Sequence, residues 1–135
     1  NPSPFSDAIL REYPLELVDI FVVNEVEGGA MTGEREPEKI LRAMLEAYPS
    51  SKTVLTLGAD GSYFADRRVT IYQPAFRTEV VDTTAAGDTF LGYFLSSYTK
   101  NSDPKEALRL ASKAAAIAVS KPGAAASIPF FEELA

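Results

Sequence analysis

The sequence predicts an α/β fold in which a mostly parallel sheet is flanked by helices and ends in an antiparallel edge hairpin. Two apolar, β-branched runs flank one amphipathic helical pattern, which is typical of a βαβ unit. A pair of short β-prone runs follows, and two further helical patterns come after it. With 135 residues, 46% of them hydrophobic, the chain has enough apolar material for one packed domain.

The first elements are a turn, a short helix and a buried strand. Residues 1–4 (NPSP) are turn material, and Ser6 can cap a helix that ends before Pro14. Residues 19–24 form a compact apolar run, which predicts a buried strand. The Gly28-Gly29 pair after this strand predicts a loop.

The middle of the chain completes the βαβ unit and adds the hairpin. Pro37 suits the first turn of a helix whose apolar face is formed by Ile40, Leu41, Met44, Leu45 and Tyr48. Residues 52–57 predict a second buried strand. Residues 62–65 and 68–72 flank a polar pair and predict an edge hairpin, and residues 80–81 are a candidate for another short strand.

Two helices are predicted in the remainder of the chain. Residues 82–88 are small and polar, and they lead into a helix with an apolar face of Phe90, Leu91, Phe94, Leu95 and Tyr98. Asp103 and Pro104 suit the N-cap and first position of the last helix. This helix carries a thin alanine face that permits close packing, at positions 111, 114, 115 and 118.

Composition excludes several classes of function. The net charge is −6 and the pI is about 4.7, so a nucleic-acid partner is not expected, and no basic run for anionic lipid is present. Without Cys or His the chain has no disulfide, thiol nucleophile, Cys/His zinc site or Ser-His-Asp triad. The absence of cysteine fits a reducing compartment such as the cytoplasm. The P-loop pattern is also absent.

Residues 82–94 (DTTAAGDTFLGYF) carry the chemistry that the sequence predicts. A small-residue turn at a helix start exposes backbone N–H groups, and these donors together with the helix dipole favour an anion such as phosphate. Ala85, Ala86 and Gly87 leave room for its close approach, and Asp88 lies beside it. A carboxylate at this place can accept a proton from an attacking hydroxyl. The structural alternative is a helix cap, since acidic residues at helix starts often serve stability alone.

This stretch, together with Gly92, resembles the C-terminal signature of the ribokinase (PfkB) family of carbohydrate kinases. The resemblance implies a ribokinase-like fold and assigns the catalytic base to Asp88. It assigns the anion hole for the transferring phosphoryl group to the amides of Ala85, Ala86 and Gly87. Many members have glycine at the position of Ala85.

Other segments match the family in the same order. Residues 1–4 resemble its N-P-[AS]-P turn, residues 24–27 its N-x-x-E motif for magnesium and phosphate, and residues 56–61 its T-L-G-x-x-G strand end along the nucleotide. The last long helix passes the adenine at Ser112 in this resemblance. The implied nucleotide contacts are therefore Asn24, Glu27, Thr56, Gly58, Asp60, Gly61 and Ser112, with Glu27 reaching magnesium indirectly.

Residues 121–129 (KPGAAASIP) resemble the family's closing loop, which holds potassium in some members. The matching positions are Asp82, Thr84, Ala118, Lys121, Gly123 and Ser127. A plain structural alternative is that Gly123 ends the preceding helix.

The resemblance covers residues 1–135 but only about half of such a kinase, namely its C-terminal nucleotide-binding part. The expected reaction is ATP-dependent phosphorylation of a sugar hydroxyl with magnesium, and with potassium as a further cation. Ribose is the leading substrate; fructose, 2-keto-3-deoxygluconate and a nucleoside are alternatives. Without the N-terminal sugar-binding and lid half, the chain could bind nucleotide and catalyse nothing. A domain without a ligand is the third alternative. The absence of that half would expose an edge of the sheet, which predicts that the chain self-associates or is only marginally stable.

Overall fold

The computed structural model describes residues 1–135 and divides them into two compact units. The first unit contains residues Asn1–Gly58 and Ser62–Tyr72. The second unit contains residues Ala59–Gly61 and Gln73–Ala135. No shift in composition marks this division in the sequence, which is why one domain is expected from the sequence alone.

The first unit is an α/β layer. Its elements are α1 (Asp7–Glu12), β1 (Ile20–Asn24), α2 (Glu25–Thr32), α3 (Pro37–Ala47), β2 (Lys52–Thr56), β3 (Ser62–Ala65) and β4 (Thr70–Gln73), of which only the last residue, Gln73, belongs to the second unit. The strands form one sheet in the order β1-β2-β3-β4, with β1 parallel to β2 and β3 antiparallel to β2. The predicted α/β class is confirmed, with one parallel pair and an antiparallel hairpin added at the edge.

Packing of α3 on the sheet makes the core of the first unit. Ile40, Leu41 and Met44 are buried on one face of α3, as their spacing predicts. They lie in one cluster with Phe21 and Leu55 of the two parallel strands. Two parallel strands connected through a helix that packs on them form the βαβ unit that the sequence predicts.

The glycine pair after β1 is helical, so the prediction of a loop at this position was wrong. Asn24 caps α2, and Gly28 lies on its buried side. A Cβ at Gly28 would meet Ile40 Cγ2 of α3 at 2.8 Å, closer than real Cβ contacts allow. Gly28 therefore permits the close approach of α2 to α3.

A helical hairpin dominates the second unit. It consists of α4 (Ala86–Asn101) and α5 (Pro104–Val119), which pack on each other. Asp103 accepts from the amides of Lys105 and Glu106 at 3.0 and 3.2 Å, which confirms the predicted N-cap. Three residues of the predicted alanine face, Ala111, Ala114 and Ala118, are buried between the packed helices, whereas Ala115 is partly exposed.

Three local predictions differ from the structure. Residues 80–81 form no strand, because the Val81 amide donates to the carbonyl of Val119 instead of to a sheet neighbour. Val80 and Val81 are both exposed. Strand β4 begins at Thr70, since Arg68 and Val69 lie in the turn and their amides donate to the Asp66 side chain. Ser6 precedes α1 without a side-chain cap hydrogen bond. None of the helices is long and apolar enough to cross a membrane.

We expect Gly28→Ala and Gly92→Ala to change stability in opposite directions. The new Cβ at Gly28 forces Ile40 out of place and lowers the free energy of unfolding by about 1–3 kcal/mol. At Gly92 no atom lies within 4 Å of the new Cβ. The better helix propensity of alanine therefore raises the free energy of unfolding by up to about 1 kcal/mol. Urea unfolding of both variants measures the difference, and equal losses would contradict the packing argument.

Candidate active site

Two of the predicted motifs lie at the carboxyl ends of neighbouring parallel strands. Asn24 ends β1, Thr56 ends β2, and the two residues are register partners. Thr56 Oγ1 donates to the carbonyl of Val23 at 3.5 Å. In open α/β sheets, ligands bind beyond the carboxyl ends of parallel strands. The N-x-x-E and T-L-G motifs therefore both begin at the carboxyl end of the parallel strand pair.

The side chains of Asn24 and Glu27 form a capping box on α2. The Glu27 amide donates to Asn24 Oδ1 at 2.8 Å, and the Asn24 amide donates to Glu27 Oε2 at 3.0 Å. Glu27 is buried, with 7% of its surface exposed. The box holds both groups in fixed orientations, and the second carboxylate oxygen of Glu27 keeps its acceptor capacity.

The T-L-G-x-x-G segment turns sharply after β2. Gly58 and Gly61 have φ values of 57° and 98°, in the left-handed region that favours glycine. Asp60 is exposed in the 3₁₀ turn between them. The two glycines therefore build a backbone turn without large side chains at the end of the strand.

Free amides mark the N-terminus of α4. The Ala86 amide donates to the carbonyl of Thr83 at 3.2 Å, and the Thr89 amide donates to that of Ala85 at 2.9 Å. The amides of Ala85, Gly87 and Asp88 donate to no acceptor in the chain. Unpaired amides at the positive end of a 16-residue helix are donors of the kind that can bind an anion.

Asp88 is the third residue of α4, as predicted, and its carboxylate is exposed. It makes no hydrogen bond to the helix start and no ion pair, so the capping alternative has no contact to support it. A carboxylate without a partner, beside unpaired amides, is available to a bound hydroxyl group.

A groove of about 460 Å³ opens along α4 from Asp88. The helix lines it with Asp88, Thr89, Gly92, Tyr93, Ser96 and Lys100, and the C-terminal segment adds Ile128 and Phe131. Asp88, Gly92, Ser96 and Lys100 follow one another at a spacing of four, so they lie on one face of the helix, with Thr89 and Tyr93 beside them. The groove joins the candidate base to a longer surface of the helix.

The Asp82 carboxylate connects two distant parts of the second unit. Asp82 Oδ1 accepts from Thr84 Oγ1 at 2.5 Å and from the Thr84 amide at 2.9 Å, and Oδ2 accepts from the Gly123 amide at 3.0 Å. These hydrogen bonds favour the ionised carboxylate and hold the pKa of Asp82 below its ordinary value; the bond from the Thr84 hydroxyl has the largest effect, and those from the Thr84 and Gly123 amides have smaller ones. Gly123 reaches this place with a φ of 97°.

The remaining positions of the closing loop are held by other contacts. The Ala118 carbonyl accepts from the Lys121 amide at 3.2 Å, and Lys121 pairs with Glu133 at 2.6 Å. Ser127 is buried and its hydroxyl donates to the Ala124 carbonyl at 2.7 Å. Asp82, Thr84 and Gly123 are thus brought together by hydrogen bonds. No cluster of three Asp or Glu side chains that could hold a metal ion occurs in the chain.

Other residues place the C-terminal segment on the hairpin. The Tyr93 hydroxyl donates to the Pro129 carbonyl at 2.6 Å, and Lys113 donates to the Leu134 carbonyl at 2.8 Å. The sequence gives no local signal for these contacts, because their partners lie 36 and 21 positions away. Ser112, the position matched to the adenine contact, is buried on α5.

The comparison that decides the family covers nearly the whole chain. The pfkB family of carbohydrate kinases matches residues 2–130. The chain belongs to this family. A ribokinase of Staphylococcus aureus is 40% identical over 139 residues, which are 99% of this chain and 45% of that protein. This pfkB chain therefore spans less than half the length of that curated relative.

Solved structures of pfkB members share the fold. An Arabidopsis thaliana ribokinase, in complex with ribose and ATP, matches with a TM-score of 0.82 and 31% identity over 89% of this chain and 40% of its own. A ribokinase of Cryptococcus neoformans var. grubii, in complex with ADP, matches with a TM-score of 0.86 and 30% identity over 99% of this chain and 49% of its own. The fold is therefore ribokinase-like.

We expect Asp82→Asn to destabilise the second unit in a pH-dependent way. The pKa of Asp82 is lowered in the folded state, so its stabilising contribution is present at neutral pH and is lost as the pH falls through that lowered pKa. The wild-type and variant unfolding midpoints should differ at pH 7 and converge in acid. NMR titration of the Asp82 carboxyl should give a midpoint below the usual value of about 3.9.

Asp103→Asn is the matched control, because asparagine serves as well as aspartate at a helix N-cap. This variant should change the unfolding midpoint at pH 7 by less than Asp82→Asn does. A difference for Asp82→Asn that persists unchanged through acid pH would show that the carboxylate contacts do not stabilise the unit.

Proposed function

We propose that the chain is the C-terminal, nucleotide-binding part of an ATP-dependent sugar kinase and supplies its catalytic base. The observation that carries the proposal is the start of α4, where three unpaired amides lie beside the exposed, unpaired carboxylate of Asp88. Membership of the pfkB family supports it, since that family phosphorylates carbohydrates.

In the proposed reaction, an oxygen of the sugar hydroxyl forms a bond to the γ-phosphorus of ATP. The bond between that phosphorus and the β,γ-bridging oxygen breaks, and ADP leaves with the electron pair. Asp88 accepts the hydroxyl proton. The free amides at Ala85 and Gly87, together with the helix dipole, stabilise negative charge on the transferring group. The family resemblance also includes Ala86, whose amide donates to Thr83 in this structure.

We propose that the turn that follows β2 contacts the nucleotide, as the family resemblance implies. Thr56, Gly58, Asp60 and Gly61 provide a strand end and a turn of small residues, and Ser112 is the adenine position of the resemblance. Asn24 and Thr56 are register partners at the ends of β1 and β2. This pairing supports one ligand site that uses both strand ends, because ligands bind beyond the carboxyl ends of parallel strands.

The acidic groups present fit a magnesium ion held mainly by phosphates and water. Glu27 keeps one carboxylate oxygen outside its capping box, and no cluster of three acidic side chains is available for direct coordination. Magnesium retains several waters and takes few protein carboxylates beside nucleotides. When bound, it supplies charge neutralisation of the phosphates.

We also infer a monovalent-cation site at the closing loop. The contacts of Asp82 with Thr84 and Gly123 support it, because they hold three of the six resembling positions together. Ala118, Lys121 and Ser127 belong to the same segment of the resemblance. Their backbone oxygens are the chemically suitable ligands for potassium.

Ribose is the proposed sugar, because the curated relative and the two solved structures described above are ribokinases. A second candidate function is a nucleotide-binding module without catalysis. The short length of the chain relative to its relatives favours it, since positioning of the sugar provides much of the catalysis of phosphoryl transfer.

We expect the chain to bind Mg-ATP, with tighter binding in potassium than in sodium buffer. Isothermal titration calorimetry measures both affinities. Gly87→Val should weaken binding, because a branched side chain crowds the amide donors, while no atom of the chain lies within 4 Å of the added Cβ. Gly92→Val has the same open surroundings but lies away from these amides, so it is the control.

Equal weakening by Gly87→Val and Gly92→Val would argue against an anion site at the start of α4. Absence of binding by the wild-type chain, with the fold intact by circular dichroism, would argue that this chain alone does not form the nucleotide site. Equal affinities in the two buffers would remove the potassium site from the proposal.

We expect Asp88→Asn to lower kcat by about 10²–10⁴-fold, the usual contribution of a general base, with little change in ATP affinity. The measurement uses a chimeric kinase in which residues 1–135 replace the matching segment of the Staphylococcus aureus ribokinase. Asp103→Asn in the same chimera should keep full turnover, because it changes only a helix cap. Near wild-type turnover by Asp88→Asn would exclude Asp88 as the base.

A further inference from the structure

Two hydrogen bonds attach the closing loop to the segment that carries the candidate base. Near the start of the loop, the Gly123 amide donates to Asp82 Oδ2 at 3.0 Å. At the end of the loop, the Pro129 carbonyl accepts from the Tyr93 hydroxyl at 2.6 Å. Asp82 precedes Asp88 in the chain and Tyr93 follows it, so the loop is attached on both sides of the base.

Internal hydrogen bonds brace the closing loop between these two attachments. Residues Ala125–Ser127 form a 3₁₀ turn. Ser127 is buried, and its amide and its hydroxyl both donate to the Ala124 carbonyl, at 3.1 and 2.7 Å. Contiguous hydrogen-bonded segments of this kind carry a displacement from one end to the other. We therefore expect the contact at Gly123 to depend on the contact at Pro129.

The Tyr93 hydroxyl is suited to be a permanent donor. Tyr93 is half-buried on α4, and Pro129 is buried. Burial, followed by the charges of Glu133 and Glu132, raises the pKa of Tyr93 above its ordinary value, so the hydroxyl keeps its proton throughout the neutral pH range. A buried carbonyl that loses its donor carries a desolvation cost, which favours the closed state of this bond.

A different contact docks the chain beyond Pro129, so docking of the C-terminal residues does not by itself explain the Tyr93 bond. Lys113 of α5 donates to the carbonyls of Leu134 and Ala135 at 2.8 and 3.3 Å. This contact does not involve α4. The Tyr93 bond, in contrast, attaches the loop directly to the helix that carries the base.

We propose that Tyr93 is a positioning residue for the phosphoryl transfer described above. Its bond to Pro129 and the bond from Gly123 to Asp82 clamp the closing loop across the segment that carries the free amides and the base. The clamp fixes the start of α4 against the loop, so that Asp88 and the amides keep the geometry that the transfer requires. Small errors in such geometry lower the rate strongly. The inference rests on the proposed function, but the clamp itself can be tested without nucleotide or sugar.

The first experiment measures amide hydrogen exchange by NMR in the chain itself. Tyr93→Phe removes the hydroxyl and keeps the ring. Exchange at the Gly123 amide should become roughly 3–10-fold faster, because the loss of one hydrogen bond at the far end of the loop loosens its contact with Asp82. Lys113→Met is the matched control: it removes a hydrogen bond from the other helix of the hairpin and should leave this exchange unchanged.

Unchanged exchange at Gly123 in Tyr93→Phe would overturn the proposal. Equal acceleration by Tyr93→Phe and Lys113→Met would assign the effect to general loosening of the unit and would overturn it as well.

The second experiment measures the catalytic consequence in the Staphylococcus aureus chimera. Tyr93→Phe should lower kcat by roughly 3–10-fold with little change in the KM for ATP, because the clamp aligns groups for the transfer and does not hold the nucleotide. Lys113→Met should lower the thermal midpoint but keep kcat. A kcat for Tyr93→Phe equal to that of Lys113→Met would make Tyr93 a structural contact only and overturn the proposal.

Failure of the clamp and failure of the proposed function give different results. Turnover that survives Asp88→Asn would contradict the proposed function, and with it a positioning role for Tyr93. Loss of turnover in Asp88→Asn, together with full kcat in Tyr93→Phe, would keep the proposed function and overturn the clamp alone.

Discussion

The in-register pairing of β1 with β2 is the constraint on which the first unit depends. It places Asn24 opposite Thr56, so that the chain leaves both strands at the same edge of the sheet. Asn24 must then both end a strand and begin a helix, and its reciprocal bonds with Glu27 make that change of direction possible. A shift of one residue would separate this pair and turn each side chain of the shifted strand to the opposite face of the sheet, so that Phe21 and Leu55 could no longer both pack in the cluster with α3.

In the second unit, polar contacts hold segments of the chain in place, as hydrophobic packing does in the first unit. Alanines allow α4 and α5 to approach closely, but they bury little side-chain area, and the segments beyond the hairpin have few apolar anchors. The Asp82 carboxylate, the Tyr93 hydroxyl and Lys113 hold those segments through backbone groups instead. The helix start at Asp88 therefore stays accessible while the chain around it is fixed.

One-face periodicity was sufficient to predict α3 and α5, and continuous apolar runs predicted the two parallel strands, whose three central residues are all buried. The prediction failed at α2, where Gly28 suggested a loop. The competing signal was present: Asn24 and Glu27 have the spacing of a capping box, and buried glycine serves helix packing there. The position of Asp88 at the first turn of α4 followed from its motif. The contact of Asp82 with the Gly123 amide depends on tertiary structure, 41 positions away, and has no local signal.

The Asp82–Gly123 contact also limits where the length of this protein can change during evolution. It closes a loop that contains the whole helical hairpin, so an added residue within α4 or α5 would rotate one helix face against the other or pull the closure apart. The turn at Ser102 lies inside the same loop but is exposed and already outside regular helical geometry, with a φ of 52°. Insertions at this turn can bulge into solvent, which makes it the natural place for length variation and for fusion of a reporter peptide.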